Sequence, residues 1–207
     1  MNIKLDPVIT ERAAGINAAA VIYENIEVGS SPQMLKGRLR LFQESLFFDY
    51  ADGGISSQPY VKEWQTIFKQ LDPSFEGEKT PMEQMLIPIS KEQFMESEDS
   101  AHDTIHFFAL KYSLPIMIYD AGKLQEPVRI SVGEKDNILI YSDEDGVFGD
   151  FKNKVNQKPV TADTKSMLQI IFFPPSIKKE NAVNLLTSLT KMFEQIHGGG
   201  HTVHWLT

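Results

Sequence analysis

The chain has 207 residues, a net charge of −8 at pH 7 and no cysteine, which excludes disulfides, thiolate metal sites and cysteine nucleophiles and fits a reducing cytoplasm. No apolar run reaches the roughly 18 residues of a membrane span, and the N-terminus lacks the layout of a secretory signal. The acidic charge gives no overall attraction to phosphate, so neither a membrane nor DNA is an expected partner, and contact with RNA needs a local basic patch.

The first half of the chain predicts one strand followed by helices. Ser31 and Pro32 indicate a helix start, with Ser31 as the N-cap and proline at the first helical position. Thr80 and Glu83 form a capping box before another apolar run. The predicted elements are a strand at 16–28 and helices at 29–50, 58–73, 80–90 and 101–112.

After Pro115 the pattern changes to short runs of β-branched and aromatic residues separated by turn residues. A last amphipathic helix is predicted to stop at the glycines of 198–200. Residues 198–207 are expected to form a flexible tail, because ordering a glycine-rich segment costs backbone entropy. The predicted strands lie at 115–120, 127–132, 137–142 and 167–175, and the last helix at 178–196.

This order of elements predicts an α+β fold with one mixed β-sheet flanked by helices. We find no internal repeat, linker or low-complexity block in the sequence. Residues 1–207 are therefore expected to form a single domain.

Two histidines, His102 and His106, lie four residues apart, which places them on one helix face. With Asp99 and Asp103 nearby, they suggest a divalent metal site, but the HExxH pattern is absent because position 103 is Asp. The simpler interpretation has His106 packed in the helix and His102 in solvent, and no metal is predicted. A second histidine cluster falls in the predicted tail, at His197, His201 and His204.

The acidic segment "SDEDG" at 142–146 resembles part of a calcium loop but lacks the remaining ligands and the closing Glu, so a solvated turn is predicted. No phosphate-binding glycine loop and no G-x-S-x-G motif occur, and no cofactor is predicted. The best local basic patch consists of Lys152, Lys154 and Lys158, which is either a solvated loop or an RNA phosphate contact.

Three segments together resemble a known module. They are "HDTIHFFALKYSLPIMIYDAGKLQEPVRISV", "LIYSDEDGVFGDF" and "VTADTKSMLQIIFFPP". In their order, with Leu-Pro before a strand that ends in Tyr-Asp, they are similar to the B-three/B-four editing domain of the phenylalanyl-tRNA synthetase β subunit. That module also occurs as free-standing proteins. The resemblance covers about residues 60 to 175.

The resemblance implies a pocket that hydrolyses mischarged aminoacyl-tRNA by means of an Asn, a His and a Glu. In this sequence the three positions hold His106, Met117 and Gln169, and the glycine-rich loop of the family becomes "KNKVNQKP". Methionine cannot transfer a proton, and glutamine lacks the charge of glutamate. Among the three residues only His106 can act as a catalytic acid or base near neutral pH.

Two functions therefore stay open. By resemblance, the chain binds tRNA, through the three lysines, and hydrolyses a mischarged aminoacyl-tRNA. Alternatively, it is a non-catalytic module that binds an amino-acid-like small ligand or a partner protein. The net charge and the replaced His and Glu favour the second function, whereas the lysine loop and the family favour the first.

Overall fold

The computed structural model describes residues 1–50, 54–73, 75, 77–133, 139–151 and 155–206. Its helices are α1 Pro7–Arg12, α2 Gln33–Tyr50, α3 Pro59–Leu71, α4 Pro81–Ile89, α5 Ser100–Tyr112 and α6 Lys179–His197. Its strands are β1 Ile3–Leu5, β2 Asn17–Glu24, β3 Ile116–Asp120, β4 Val128–Val132, β5 Leu139–Asp143, β6 Gly146–Asp150, β7 Ser166–Phe173 and β8 Gly200–Leu206. Within these residues, no helix is both long and apolar enough to cross a membrane.

The α+β class, with a mixed sheet and flanking helices, is confirmed, but the strands divide into two four-stranded sheets rather than one. The mixed sheet has the order β1-β4-β5-β6, and its β1 and β4 are parallel. The other sheet, β3-β7-β2-β8, is antiparallel. The short β1 and the β6 strand, which follows the predicted acidic turn, carry too little periodicity to be predicted from sequence.

The antiparallel sheet is the central layer, because both of its faces are buried. Seven of the eight residues of β7 are buried, as expected for a strand that is covered on both sides. On one face Tyr23 packs against Phe193 of α6, with ring centroids 4.1 Å apart. On the other face Tyr119 packs against Phe148 of the mixed sheet, at 4.9 Å. A three-layer arrangement of helices, sheet and sheet results.

The helix signals of the sequence are largely confirmed. Thr80 and Glu83 form the predicted capping box of α4, with hydrogen bonds in both directions. Ser31, the predicted N-cap of α2, has a longer-range contact: its hydroxyl donates to the buried carboxylate of Asp103 in α5. A serine before a helix thus serves here to bind two helices together.

The predicted flexible tail is wrong, because residues 200–206 form β8 and pair with β2 from Ala18–Leu206 to Glu24–Gly200. The chain reverses at Gly198 and Gly199, which have positive φ angles of 69° and 72°. A Cβ at Gly199 would lie 2.1 Å from the carbonyl oxygen of Glu24, whereas a Cβ at Gly200 would meet nothing within 4 Å. The glycines are therefore a turn requirement rather than a sign of disorder.

Replacing Gly199 with alanine should therefore destabilise the protein, and Gly200→Ala serves as the matched control. The left-handed backbone and the clash with Glu24 predict a loss of at least about 2 kcal/mol for Gly199→Ala. Gly200→Ala should stay within about 0.5 kcal/mol of the parent. Urea unfolding measures both values, and equal losses for the two variants would contradict the docking of β8 on β2.

Candidate functional site

A cavity of about 280 Å³ lies between α4, α5 and the outer edge of β3. Helix α5 contributes His102, Ile105, His106 and Ala109, whose spacing of three and four places them on one helix face. The other walls are mostly apolar: Met82 and Met85 of α4, Met95, the β3 residues Ile116 to Tyr119, and Phe151. The cavity thus combines an apolar lining with two imidazole groups.

His102 does not lie in solvent, as the sequence predicted, but lines the cavity and is held by Asp99. The Nδ1 of His102 donates to Oδ2 of Asp99 at 2.8 Å. The other oxygen of Asp99 accepts from the backbone amides of Ala101 and His102, so Asp99 is also the N-cap of α5. Both oxygens of the carboxylate are therefore fixed, and the imidazole has a defined orientation.

The loop that carries Asp99 is itself held by Asp103, which is fully buried. The carboxylate of Asp103 accepts hydrogen bonds from the Ser31 hydroxyl at 2.5 Å, the Ser97 hydroxyl at 2.5 Å and the Glu98 amide at 3.0 Å. These bonds connect the start of α2, the loop before α5, and α5 itself. Asp103, which the sequence suggested as a metal neighbour, is thus a structural anchor.

The two histidines have opposite pKa shifts. Burial lowers the pKa of His102, but the hydrogen bond and charge of Asp99, with the charges of Glu98 and Asp103, outweigh burial and leave the pKa above its ordinary value. Burial also lowers the pKa of His106, and there the acidic neighbours do not compensate. Their rings lie 6.3 Å apart. The fold therefore favours the protonated form of His102 and the neutral form of His106 on the same cavity wall, and such opposite shifts are typical of acid–base pairs.

Two polar atoms of the cavity-lining residues have no partner. The Nδ1 of His106 and the hydroxyl of Tyr119 are buried without a hydrogen bond in the described part of the chain. Buried polar groups in native proteins are nearly always paired, so each unpaired one calls for an explanation. The Tyr119 hydroxyl lies against Gly149 of β6, so a polar ligand in the cavity is an explanation for the His106 nitrogen alone.

The backbone of β3 offers further hydrogen-bonding groups to the cavity. The backbone amide of Phe172 in β7 donates to the carbonyl of Pro115. The backbone amide of Asp120 donates instead to the backbone carbonyl of Lys158, which lies on the side away from β7. Because antiparallel residues alternate in direction, Ile116 and Ile118 also point their backbone groups away from β7. Both residues line the cavity, and no other backbone group in the described chain bonds to them from that side. In the part of the chain that the structure describes, the outward backbone groups of Ile116 and Ile118 therefore have no backbone partner.

The structure brings together only part of the set of residues implied by the resemblance. His106 and Met117 line the cavity. Gln169 lies one strand further in, on β7, fully buried, where its Oε1 accepts from the Tyr23 hydroxyl at 3.1 Å. The sequence analysis did not assign the Asp99–His102 pair, although the N-cap position of Asp99 three residues before a histidine was a usable signal.

Lys158 of the predicted basic patch is paired with two neighbouring aspartates. Lys158 donates to Asp145 at 2.9 Å and lies 3.8 Å from Asp143. The Asp145 bond and the charges of both carboxylates raise the pKa of Lys158. Lys152 and Lys154 lie outside the described residues. Lys158 thus already has counterions and is poorly suited to bind phosphate.

The metal hypotheses have no support in this geometry. Among the described residues, no group of three or more His, Asp or Glu side chains is placed to hold a metal ion. His201 pairs with Glu194 at 2.7 Å, and the ring of the buried His197 stacks on Phe193, so the second histidine cluster is divided between α6 and β8. The acidic segment 142–146 covers the end of β5, the turn after it and the first residue of β6.

The His102 and His106 pKa values can be measured by a proton–nitrogen NMR titration. The pKa of His102 should lie above about 6.5, the ordinary value, and that of His106 below it. Asp99→Asn keeps an oxygen that can cap α5 but removes the charge, so the pKa of His102 should fall, and that of His106 should change less. Equal values for the two histidines in the parent would contradict the assigned environments.

No family model matches the chain. Among solved structures, it is similar to the N-terminal fragment of the phenylalanyl-tRNA synthetase β subunit from Pyrococcus horikoshii, with 11% identity and a TM-score of 0.46. That alignment covers 97% of this chain and 50% of the fragment, so the chain spans about half of that fragment's length, and the fold relationship is distant. The chain is 84% identical to "Uncharacterized protein YhzB" of Bacillus subtilis (strain 168), over 100% of both sequences. The chain belongs to the same family as this Bacillus subtilis protein.

Proposed function

We propose that the cavity between α4, α5 and β3 binds a small, amino-acid-like ligand. The observation that carries the proposal is the apolar cavity with the buried, unpaired Nδ1 of His106 on its wall. Its volume of about 280 Å³ is just below the range of about 300 to 1,000 Å³ that is usual for small-molecule sites. A compact ligand with one apolar side chain suits this size.

The polar groups at the wall define the ligand further. The backbone edge at Ile116 and Ile118 can pair with the amide or carbonyl groups of an amino acid derivative. When protonated, His102 attracts a carboxylate or a developing negative charge, and His106 accepts or donates one hydrogen bond when it is neutral. The methionines Met82, Met85, Met95 and Met117 supply a deformable apolar surface for the side chain.

A second candidate, hydrolysis of an aminoacyl-tRNA ester, is favoured by the Asp99–His102 pair. In this reaction the neutral His106 takes a proton from water as the water oxygen attacks the ester carbonyl. The imidazolium of His102 gives its proton to the ribose oxygen as the ester bond breaks, which leaves a free amino acid and a tRNA hydroxyl. The resemblance to the editing domain supplies the substrate class, and a cytoplasmic location stays a prediction. Contact with tRNA would depend on Lys152 and Lys154 more than on Lys158.

Ligand binding is tested by calorimetric titration of free amino acids and their amides. His106→Ala should weaken a bound ligand by about 1 to 3 kcal/mol, which is the cost of one lost hydrogen bond and an unpaired partner. His201→Ala is the matched control, since His201 lies on β8, pairs with Glu194 and does not line the cavity. Equal affinities for both variants and the parent would exclude His106 from the binding site.

Hydrolysis is tested by deacylation of a panel of mischarged tRNAs. If the ester is cleaved, His106→Ala should lower the rate about 10²-fold or more, the usual effect of a positioned acid or base. Met117→His and Gln169→Glu, which restore the residues of the family, should not be required for activity. Cleavage at an unchanged rate in His106→Ala would remove the catalytic assignment. If the ligand binds and no tRNA is cleaved, only the binding function remains supported.

A further inference from the structure

The outer edge of β3 carries the unpaired backbone groups of two alternate residues. Ile116 and Ile118 both line the cavity, and on the side away from β7 they bond to no other backbone group in the described chain. Ile118 is only 8% exposed. Backbone groups at such depth are nearly always paired in native proteins. An N–H and a C=O from each residue, four groups in all, are therefore available to a molecule in the cavity.

The edge is blocked before and after these two residues. Pro115 has no N–H, and its carbonyl accepts from Phe172 of β7. At the other end, the amide of Asp120 donates to the carbonyl of Lys158. Helices α4 and α5 form the other walls of the space beside the edge. A single extended chain suits a space of this kind, whereas the edge of a second folded sheet would meet the two helices.

We propose that this edge takes a peptide, as an extended strand of at least three residues that is added to β3. The inference rests on the proposed function, since it names the ligand class for the same cavity. Alternate residues of a strand lie about 6.7 Å apart, or two steps of about 3.3 to 3.4 Å. All four backbone groups are matched only by a chain of three or more residues. A free amino acid matches part of them and brings two charges into a mostly apolar space.

The walls of the cavity select the peptide's side chain. Met82 and Met85 of α4 and Ile105 of α5 line the space opposite the edge, so a residue with an apolar side chain is expected there. The methionines can adapt to several such side chains. In strand addition of this kind, the main-chain hydrogen bonds supply affinity and the pocket supplies specificity. The lining also includes Gln84, which is exposed, so the cavity reaches the solvent beside α4.

The ligand class is tested by calorimetric titration of the full chain with acetyl-Ser-Ala-X-Ala-Ser-amide, where X is leucine, methionine or phenylalanine. The best of these peptides should bind at least about tenfold more tightly than the acetyl amide of the same amino acid or the free amino acid, because it makes more bonds to the edge. Equal affinity for the shorter probes would overturn the peptide class and leave the proposed function standing. If none of the probes binds, both are contradicted.

The pairing with β3 is tested by N-methylation of the best peptide, one residue at a time. Each methyl group removes one N–H and keeps the neighbouring strand at a distance. Successive N–H groups of a strand point to opposite sides, so methylation at alternate residues should lower the affinity about tenfold or more. Methylation at the residues between them is the matched control and should have much less effect. Equal losses at neighbouring residues would overturn the proposed pairing.

The protein side is tested by amide hydrogen exchange in the parent chain. Saturation with the best peptide should slow exchange at Ile116 and Ile118, whereas Met117, which faces Ile170 of β7, is the internal control. Unchanged exchange at Ile116 and Ile118 would contradict the pairing. Ile118→Pro removes an outward N–H at an edge position, where proline is tolerated, and should weaken the peptide about tenfold. Ile118→Val keeps the N–H and should bind as the parent does.

Discussion

The buried carboxylate of Asp103 is the interaction on which the candidate site depends. It accepts hydrogen bonds from Ser31, Ser97 and Glu98, and so it fixes the loop that leads into α5. That loop delivers Asp99 to the N-cap, where the carboxylate meets both the helix amides and His102. An unpaired carboxylate at this depth would cost several kcal/mol, whereas three donors compensate for its burial. The orientation of His102 therefore depends on a residue that does not line the cavity.

The electrostatics of α5 also define a pH window for stability. The Asp99–His102 pair stabilises the fold when both groups are charged. Its contribution is lost as the pH rises through the raised pKa of His102, and again as the pH falls through the pKa of Asp99. Burial raises the pKa of Asp99, but the bonds from His102 and the helix amides outweigh burial and leave this pKa below its ordinary value. His106 acts oppositely: its neutral form is preferred in the fold, so stability falls as the pH drops below about 6.5, the value of the unfolded chain.

The sequence predicted what depends on local periodicity and capping, and missed what depends on contacts across the chain. Helices α2 to α6 and strands β2, β3, β4, β5 and β7 follow from apolar spacing. Strand β8 was missed because its glycines resemble a tail, and its pairing partner β2 lies about 180 residues earlier. His102 was predicted to lie in solvent, because its position at the cavity depends on the bond to Asp99 and on α4 and β3, which are not evident from the sequence around it. His106 and Met117 were placed at the pocket by resemblance, whereas the position of Gln169 inside β7 is a property of the assembled sheet.

The polar chemistry of the cavity comes mainly from one helix. Where the resemblance in sequence implies a His, this chain has Met117, and the Gln169 side chain binds Tyr23 instead of lining the cavity. The two imidazoles that remain both project from α5, so the separation of 6.3 Å between their rings is set by the helix repeat and does not depend on how the sheet moves. The methionine-rich wall of α4 can then adapt to different side chains without disturbing the histidines. In the proposed function, the two imidazoles and the surface that contacts the ligand side chain thus lie on separate elements, so either one can change without the other.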